Sequence, residues 1–202
     1  MPDPVTIVGD NPNDAALRFV RTVQDPEVPF HLVNSSTAAQ VLTAETPNYL
    51  RGSRLQIPRS RALAPGTMFR WRMSITKTAA GTALSLFQVR VGAAGNETDT
   101  LRIGFTKPAG TAAVDEARVD IRLLVRSVGA TGTWAGQFHL AHNLSATGHA
   151  TVPNVVLTGT PAAWDMTPRN LFVGVSVSPG ASEVYTVEMV EAEVLNLGVA
   201  TS

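Results

Sequence analysis

Between residues 66 and 197 the chain repeats one device about eight times: an alternating apolar and polar run, then a turn rich in Gly, Thr, Ser or Asn. Side chains on a strand alternate between two faces, so such runs describe strands with one face in a core and the other toward solvent. The clearest is Phe69-Arg70-Trp71-Arg72-Met73-Ser74-Ile75. Phe69, Trp71, Met73 and Ile75 share one face, and Arg70, Arg72 and Ser74 share the other.

The same reasoning predicts strands over 67–76, 82–92, 98–106, 117–128, 133–144, 150–159, 170–178 and 182–196. In the fourth, Val119, Ile121, Leu123 and Val125 form the apolar face and Arg118, Asp120, Arg122 and Arg126 the polar one. The alternation slips at Leu86-Phe87 and at Met189-Val190, as a β-bulge makes it do. No long helical periodicity competes with these runs. The fold class expected is all-β: an antiparallel β-sandwich of jelly-roll type with about eight strands, preceded by an extended N-terminal arm.

The arm is suggested by proline. Eight of the 13 prolines lie in residues 1–65, whereas 13 of the 16 glycines lie from residue 81 onward. Proline removes a backbone donor and favours extended, irregular paths. Residues 1–65 are therefore expected to be an arm and connector with short strands near 28–33 and 39–43, and residues 66–202 the sandwich. Segment 15–20 fits a capped helix and a strand about equally well, and the path of residues 1–44 stays open. Residues 1–44 are expected to be dispensable for folding of the sandwich.

Charge and composition exclude more than they assign. Sixteen basic residues balance 16 acidic ones, so the whole molecule lacks the electrostatic footprint of a nucleic-acid or anionic-membrane binder. With no cysteine, there is no disulfide, thiolate metal site or cysteine nucleophile. No apolar run reaches the length of a membrane span, and Met1-Pro2-Asp3-Pro4-Val5 has neither a basic nor an apolar leader region, so neither a membrane partner nor export is expected.

Thr76-Lys77-Thr78-Ala79-Ala80-Gly81-Thr82-Ala83, Val89-Arg90-Val91-Gly92, Ala109-Gly110-Thr111-Ala112-Ala113 and the run through Glu191-Ala192-Glu193 together resemble a group of tailed-bacteriophage virion structural proteins with a jelly-roll domain, capsid decoration or spike proteins and tail components among them. The resemblance covers roughly residues 45–197. It implies a homotrimer, partners such as major capsid or tail proteins, and location in a virion assembled in the host cytoplasm. It brings no catalytic, cofactor or metal residues with it.

The residues themselves offer little for catalysis. His139 and His142 have an HxxH spacing, but residues three apart on a strand face opposite ways and cannot close on one ion. His139 is expected to face solvent and His142 the edge of the core. Glu97, Asp99, Asp115 and Glu116 cluster near two turns, where a cation site near Glu97 and Asp99 is conceivable without any EF-hand spacing. Glu188, Glu191 and Glu193 lack the aromatic-walled cleft of a glycosidase. There is no G-x-S-x-G elbow and no phosphate loop.

The one charge asymmetry is Arg51, Arg54, Arg59 and Arg61, four arginines in an acid-free stretch. Guanidinium pairs bidentately with carboxylate, so these residues are candidate anchoring contacts to another virion subunit or to the chain's own sandwich. Nucleic acid is the less favoured partner, because no aromatics interleave with the arginines. The reading reached is a non-catalytic virion component, with no cofactor, that self-associates and docks through its arm. The alternative is a receptor-binding module for host-surface glycan, with Trp164 as the stacking contact and Trp134 in the core.

Overall fold

The computed structural model describes residues 30–43, 46–58, 61–78, 81–159, 162–168 and 170–199, with backbone alone at residues 30, 31, 61 and 199. Their elements in chain order are β1 (Phe30–Ser35), β2 (Gln40–Leu42), β3 (Asn48–Tyr49), β4 (Leu55–Gln56), β5 (Arg61–Ala62), β6 (Met68–Thr78), β7 (Ser85–Gly92), β8 (Thr100–Lys107), β9 (Asp115–Ser127), β10 (Thr133–His142), β11 (Asn154–Gly159), β12 (Phe172–Ser178) and β13 (Val184–Val199). Strands β6 to β13 correspond one for one to the eight alternating runs. Segment 15–20 and Arg59 lie outside the described residues.

All strand pairs are antiparallel, in two sheets. Sheet A has eight strands, ordered β1-β13-β6-β9-β10-β11, with β2 and β5 also on β13; sheet B has five, ordered β3-β12-β7-β8, with β4 on β12. The pairings β6 with β13 and β7 with β12 are nested, first with last and second with second-to-last, which is how a jelly roll winds. Hairpins β7–β8 and β9–β10–β11 complete the sandwich.

Phe69, Trp71, Met73, Ile75, Ile121, Leu123, Phe138, Leu140, Val173 and Val175 are all buried between the sheets. Phe138 bridges them, its ring 5.0 Å from Phe87 and 5.7 Å from Phe105. The bulge on the last strand is present: Val187 pairs Ile75 and Met189 pairs Ser74, so Glu188 is the extra residue. Tyr185 and Val187 point inward before it, and Val190, Ala192 and Val194 after it. The bulge expected at Leu86-Phe87 lies elsewhere. Ser85, Phe87, Val89 and Val91 face inward without a break, and the extra residue is Arg102 on the partner strand, between Ile103 opposite Val89 and Leu101 opposite Arg90. Leu84, exposed, and Leu86 are apolar on the outer parity while the polar Ser85 is buried, and this inversion produces the false slip.

The boundary near residue 65 does not separate an arm from a sandwich over residues 30–63. β1, β2 and β5 pair with β13, while β3 and β4 pair with β12. Leu32, Leu42, Leu50, Leu55, Ile57 and Leu63 belong to the core. Ser53 fastens this segment: its Oγ accepts from Val175 N at 3.0 Å, and its carbonyl accepts from Trp71 Nε1 at 2.7 Å. Deleting residues 1–44 is therefore expected to destabilise the sandwich. Leu32 and Leu42 would leave the core, each contributing about 1.5–3 kcal/mol, and the edge of β13 would lose its partners. Thermal melting checks this; a truncated protein melting like the full chain would show that β1 and β2 contribute no stability.

Candidate functional site

The outer face of the eight-stranded sheet A carries an organised charged surface. Alternation places Arg70 and Arg72 of β6, Glu191 and Glu193 of β13 and Asp120 and Arg122 of β9 on it. Register joins them into two rows, Glu193–Arg70–Arg122 and Glu191–Arg72–Asp120. Arg70 lies 3.5 Å from Glu193 and 3.2 Å from Asp120, Arg72 3.4 Å from Glu191 and 3.3 Å from Glu193, and Arg122 2.7 Å from Asp120. Burial works against the Asp120 charge, but Arg122 and Arg70 hold its carboxyl below the usual carboxylate range. Five exposed aliphatic side chains share this face: Val33, Val41, Leu124, Val156 and Met189. Beside them, Asp120, Arg122, Gln137, His139 and Val156 line a groove of about 250 Å³.

The second surface carries two of the expected arginines. Arg51 and Arg54 are exposed on the loop between β3 and β4. Gln40 holds that loop from β2, its Oε1 accepting from Arg51 N at 2.7 Å and its Nε2 donating to Arg51 O at 3.0 Å. Asn34 Nδ2 of β1 donates to Arg54 O at 2.7 Å. Gly52, at φ +83°, turns the loop where a Cβ would strike the backbone of Ser35 and Ser36, so only glycine fits. The Arg54 guanidinium lies 5.0 Å over the Phe172 ring. A groove of about 290 Å³ runs between Asn34, Tyr49, Arg51, Arg54 and Gly95. The Tyr49 hydroxyl, in its lining, is buried without a hydrogen-bond partner; burial first, and Asp99 second, keep it protonated. Arg61 is in β5 by its backbone, paired across to Val199.

Several expected contacts take other roles. Trp164 is not an exposed platform: it is 4% exposed, its backbone bridges Gly132, and its ring packs 5.7 Å from Trp134 with Arg102 5.6 Å above. The bridge to Gly132 pulls an otherwise irregular loop onto the sandwich. Asp99 is buried, with Oδ1 accepting from Ala94 N at 3.0 Å and Oδ2 from Gly95 N at 2.7 Å. Arg90 Nη1 donates to the carbonyls of Glu97 and Asp99 at 2.9 Å, occupying the oxygens a cation there would use. His139 lies on the outer face and His142 in the interior.

One constellation was missed: a buried polar cluster at one end of the sandwich, formed by Lys77, Ser85, Lys107, Asp115, His142, His149, Glu183 and Tyr185. Asp115 Oδ2 accepts from His142 Nδ1 at 2.6 Å and from His149 N at 3.0 Å. His142 Nε2 lies 2.6 Å from Val152 O, so both ring nitrogens face acceptor oxygens. His149 Nε2 donates to Asp115 O at 3.1 Å, while its Nδ1 has no partner. That is the neutral tautomer; burial chiefly lowers its pKa to about 4, and the Lys107 charge acts in the same direction. Desolvation also lowers both lysines, partly opposed by Glu183. Parity could have found the cluster: Lys77 continues the inward series of Phe69 to Ile75, Lys107 follows Ile103 and Phe105, and Glu183 precedes Tyr185 and Val187 at the same spacing.

No family model matches the chain, and no curated protein does. Among solved structures it is similar to a Shewanella oneidensis MR-1 protein of unknown function, at 7% identity and TM-score 0.39 over 89% of this chain and 92% of that one. It is also similar to a Bauhinia forficata lectin in complex with GalNAc, at 11% identity and TM-score 0.35 over 87% and 95%. The CBM2 module of an evolved Dit from Lactobacillus casei BL23 phage J-1 aligns at 8% identity and TM-score 0.21 over 76% and 91%. Likenesses this distant carry no inference about what the chain binds or assembles with.

Proposed function

We propose that the chain is a non-catalytic structural component of a tailed-phage virion, a sandwich that associates with copies of itself and docks on other virion proteins. The outer face of sheet A carries the proposal. Arg70, Arg72 and Arg122 are already matched by carboxylates of the same chain, so covering them strands no unpaired charge, and the five exposed aliphatic side chains gain from being covered. The groove beside Arg51 and Arg54 supplies the docking contact. Two exposed guanidiniums suit an acidic side chain of a neighbouring subunit. The sequence resemblance supplies the particle.

Light scattering on the purified protein tests the first half: a trimer is expected, and Leu124→Lys with Val156→Lys should yield monomers with an unchanged melting temperature. A wild-type monomer at assembly concentrations would refute self-association. Co-sedimentation with particles tests the second half, with Arg51→Ser and Arg54→Ser weakening it in a salt-sensitive way. A glycan-binding role keeps one observation in its favour, the groove of Asp120, Arg122, Gln137 and His139, whose side chains suit sugar hydroxyls. Saturable glycan binding by the monomeric variant, lost in His139→Ala, would favour it instead.

A further inference from the structure

Within the buried cluster, Lys107 and Glu183 meet in a way that an ion pair does not require. Both side chains are fully enclosed, with Lys107 Nζ 3.7 Å from Glu183 Oε1. Oε1 has no hydrogen-bond partner. Oε2, by contrast, accepts from the Ser85 hydroxyl and from Tyr185 OH at 2.6 Å, with Gly180 N at 3.4 Å. Nζ donates to Pro108 O at 2.9 Å and His149 O at 2.7 Å, so as a neutral amine its remaining valence is a lone pair. Lys77 differs in orientation: its Nζ is turned into the loop, donating to Thr111 O at 2.5 Å.

We infer that Lys107 and Glu183 are poised to condense into an intramolecular isopeptide bond, fastening β8 of sheet B to the start of β13 in sheet A. The amine Nζ attacks Cδ of the carboxylic acid. Oε2 takes the developing negative charge, where the Tyr185 and Ser85 hydroxyls stabilise it as an oxyanion hole does. The Nζ–Cδ bond forms and the Cδ–Oε1 bond breaks. One proton from Nζ and the acid proton leave with Oε1 as water, and the remaining N–H of the amide stays directed at His149 O. No oxidant or cofactor enters the balance. Amine and acid together hold the same protons as the ammonium–carboxylate pair, so the enclosed site reaches its reactive form by one internal proton transfer. Holding the two groups together replaces an encounter in water that is otherwise rare.

The test is the intact mass of the full chain after denaturation, as purified and after prolonged incubation of the folded protein. The expected result is a species lighter by one water, with tandem spectra joining the peptides that contain Lys107 and Glu183. Lys107→Met should keep its full mass. Tyr185→Phe, if folded by circular dichroism, should accumulate the linked form at least tenfold more slowly. A wild-type chain that stays at full mass would overturn the inference, and so would a water loss mapped to any other pair. Neither result bears on self-association or docking.

Discussion

Replacing Trp71 with alanine should lower the unfolding free energy by about 3–5 kcal/mol, the usual cost of deleting a fully buried large aromatic. Trp71 has no exposed surface and lies nearly parallel to Phe69, at 8° and 6.0 Å between centroids. Its indole N–H donates to Ser53 O, so alanine also strands a buried carbonyl on the segment that β12 holds. Phenylalanine at the same position should cost less, about 1–3 kcal/mol, mainly from that stranded acceptor. Urea denaturation of both variants decides it. A loss for Trp71→Ala no larger than that of a surface substitution, about 0.5 kcal/mol, would mean that the faces of β6 are not as described.

Acidification should destabilise the fold well above the pH at which carboxylates protonate. The His149 imidazole goes from an ordinary pKa of 6.5 to about 4 on folding. Between these values the unfolded chain binds a proton that the folded one does not, so the stability it contributes is complete above pH 6.5 and drains as pH falls toward 4. The difference, 6.5 minus 4, at about 1.4 kcal/mol per pH unit, amounts to about 3 kcal/mol. Around the ring stand Asp115 on β9, Lys107 on β8, His142 on β10 and Tyr185 on β13. Asp115 acts in a lower window. Burial alone would raise its carboxyl, but hydrogen bonds from His149 N, His142 and Leu144 N hold it below the usual range, so its contribution disappears only as pH falls below about 3.8. Comparing the urea midpoint of wild type with that of His149→Phe, which keeps a ring against Tyr185, isolates the upper window. Parallel pH profiles for the two proteins would remove His149 as the cause.

Alternation made the sandwich legible wherever one face is uniformly apolar. The run from Phe69 to Ile75 located β6, the pairing of β6 with β13 followed from jelly-roll winding, and Glu191 and Glu193 do meet Arg70 and Arg72. The short strands of residues 40–62 were harder to weigh. Two or three residues cannot show a period, and prolines at 47 and 58 argued for an arm although Leu50, Leu55 and Ile57 are core. Trp164 was misplaced because its burial depends on one nonlocal bridge to Gly132. Lys77, Lys107 and Glu183 were passed over because charge normally signals solvent, although each stands at an inward position. In this fold parity outranked polarity at one end of the barrel of side chains, and it took the partners on other strands to show why.

β13 is the strand on which β1, β2, β5 and β6 all converge. In time rather than space, the earliest described strands of the chain wait for the latest. As the polypeptide is made, β1, β2 and β5 emerge long before residues 184–199 and have no edge in sheet A to join until then. Such pairing closes very long loops late, which slows folding and leaves Leu32, Leu42 and one edge of β6 uncovered in the interval. The assembled sheet is thus completed in a single late step, and the protein depends on escaping aggregation until it is taken.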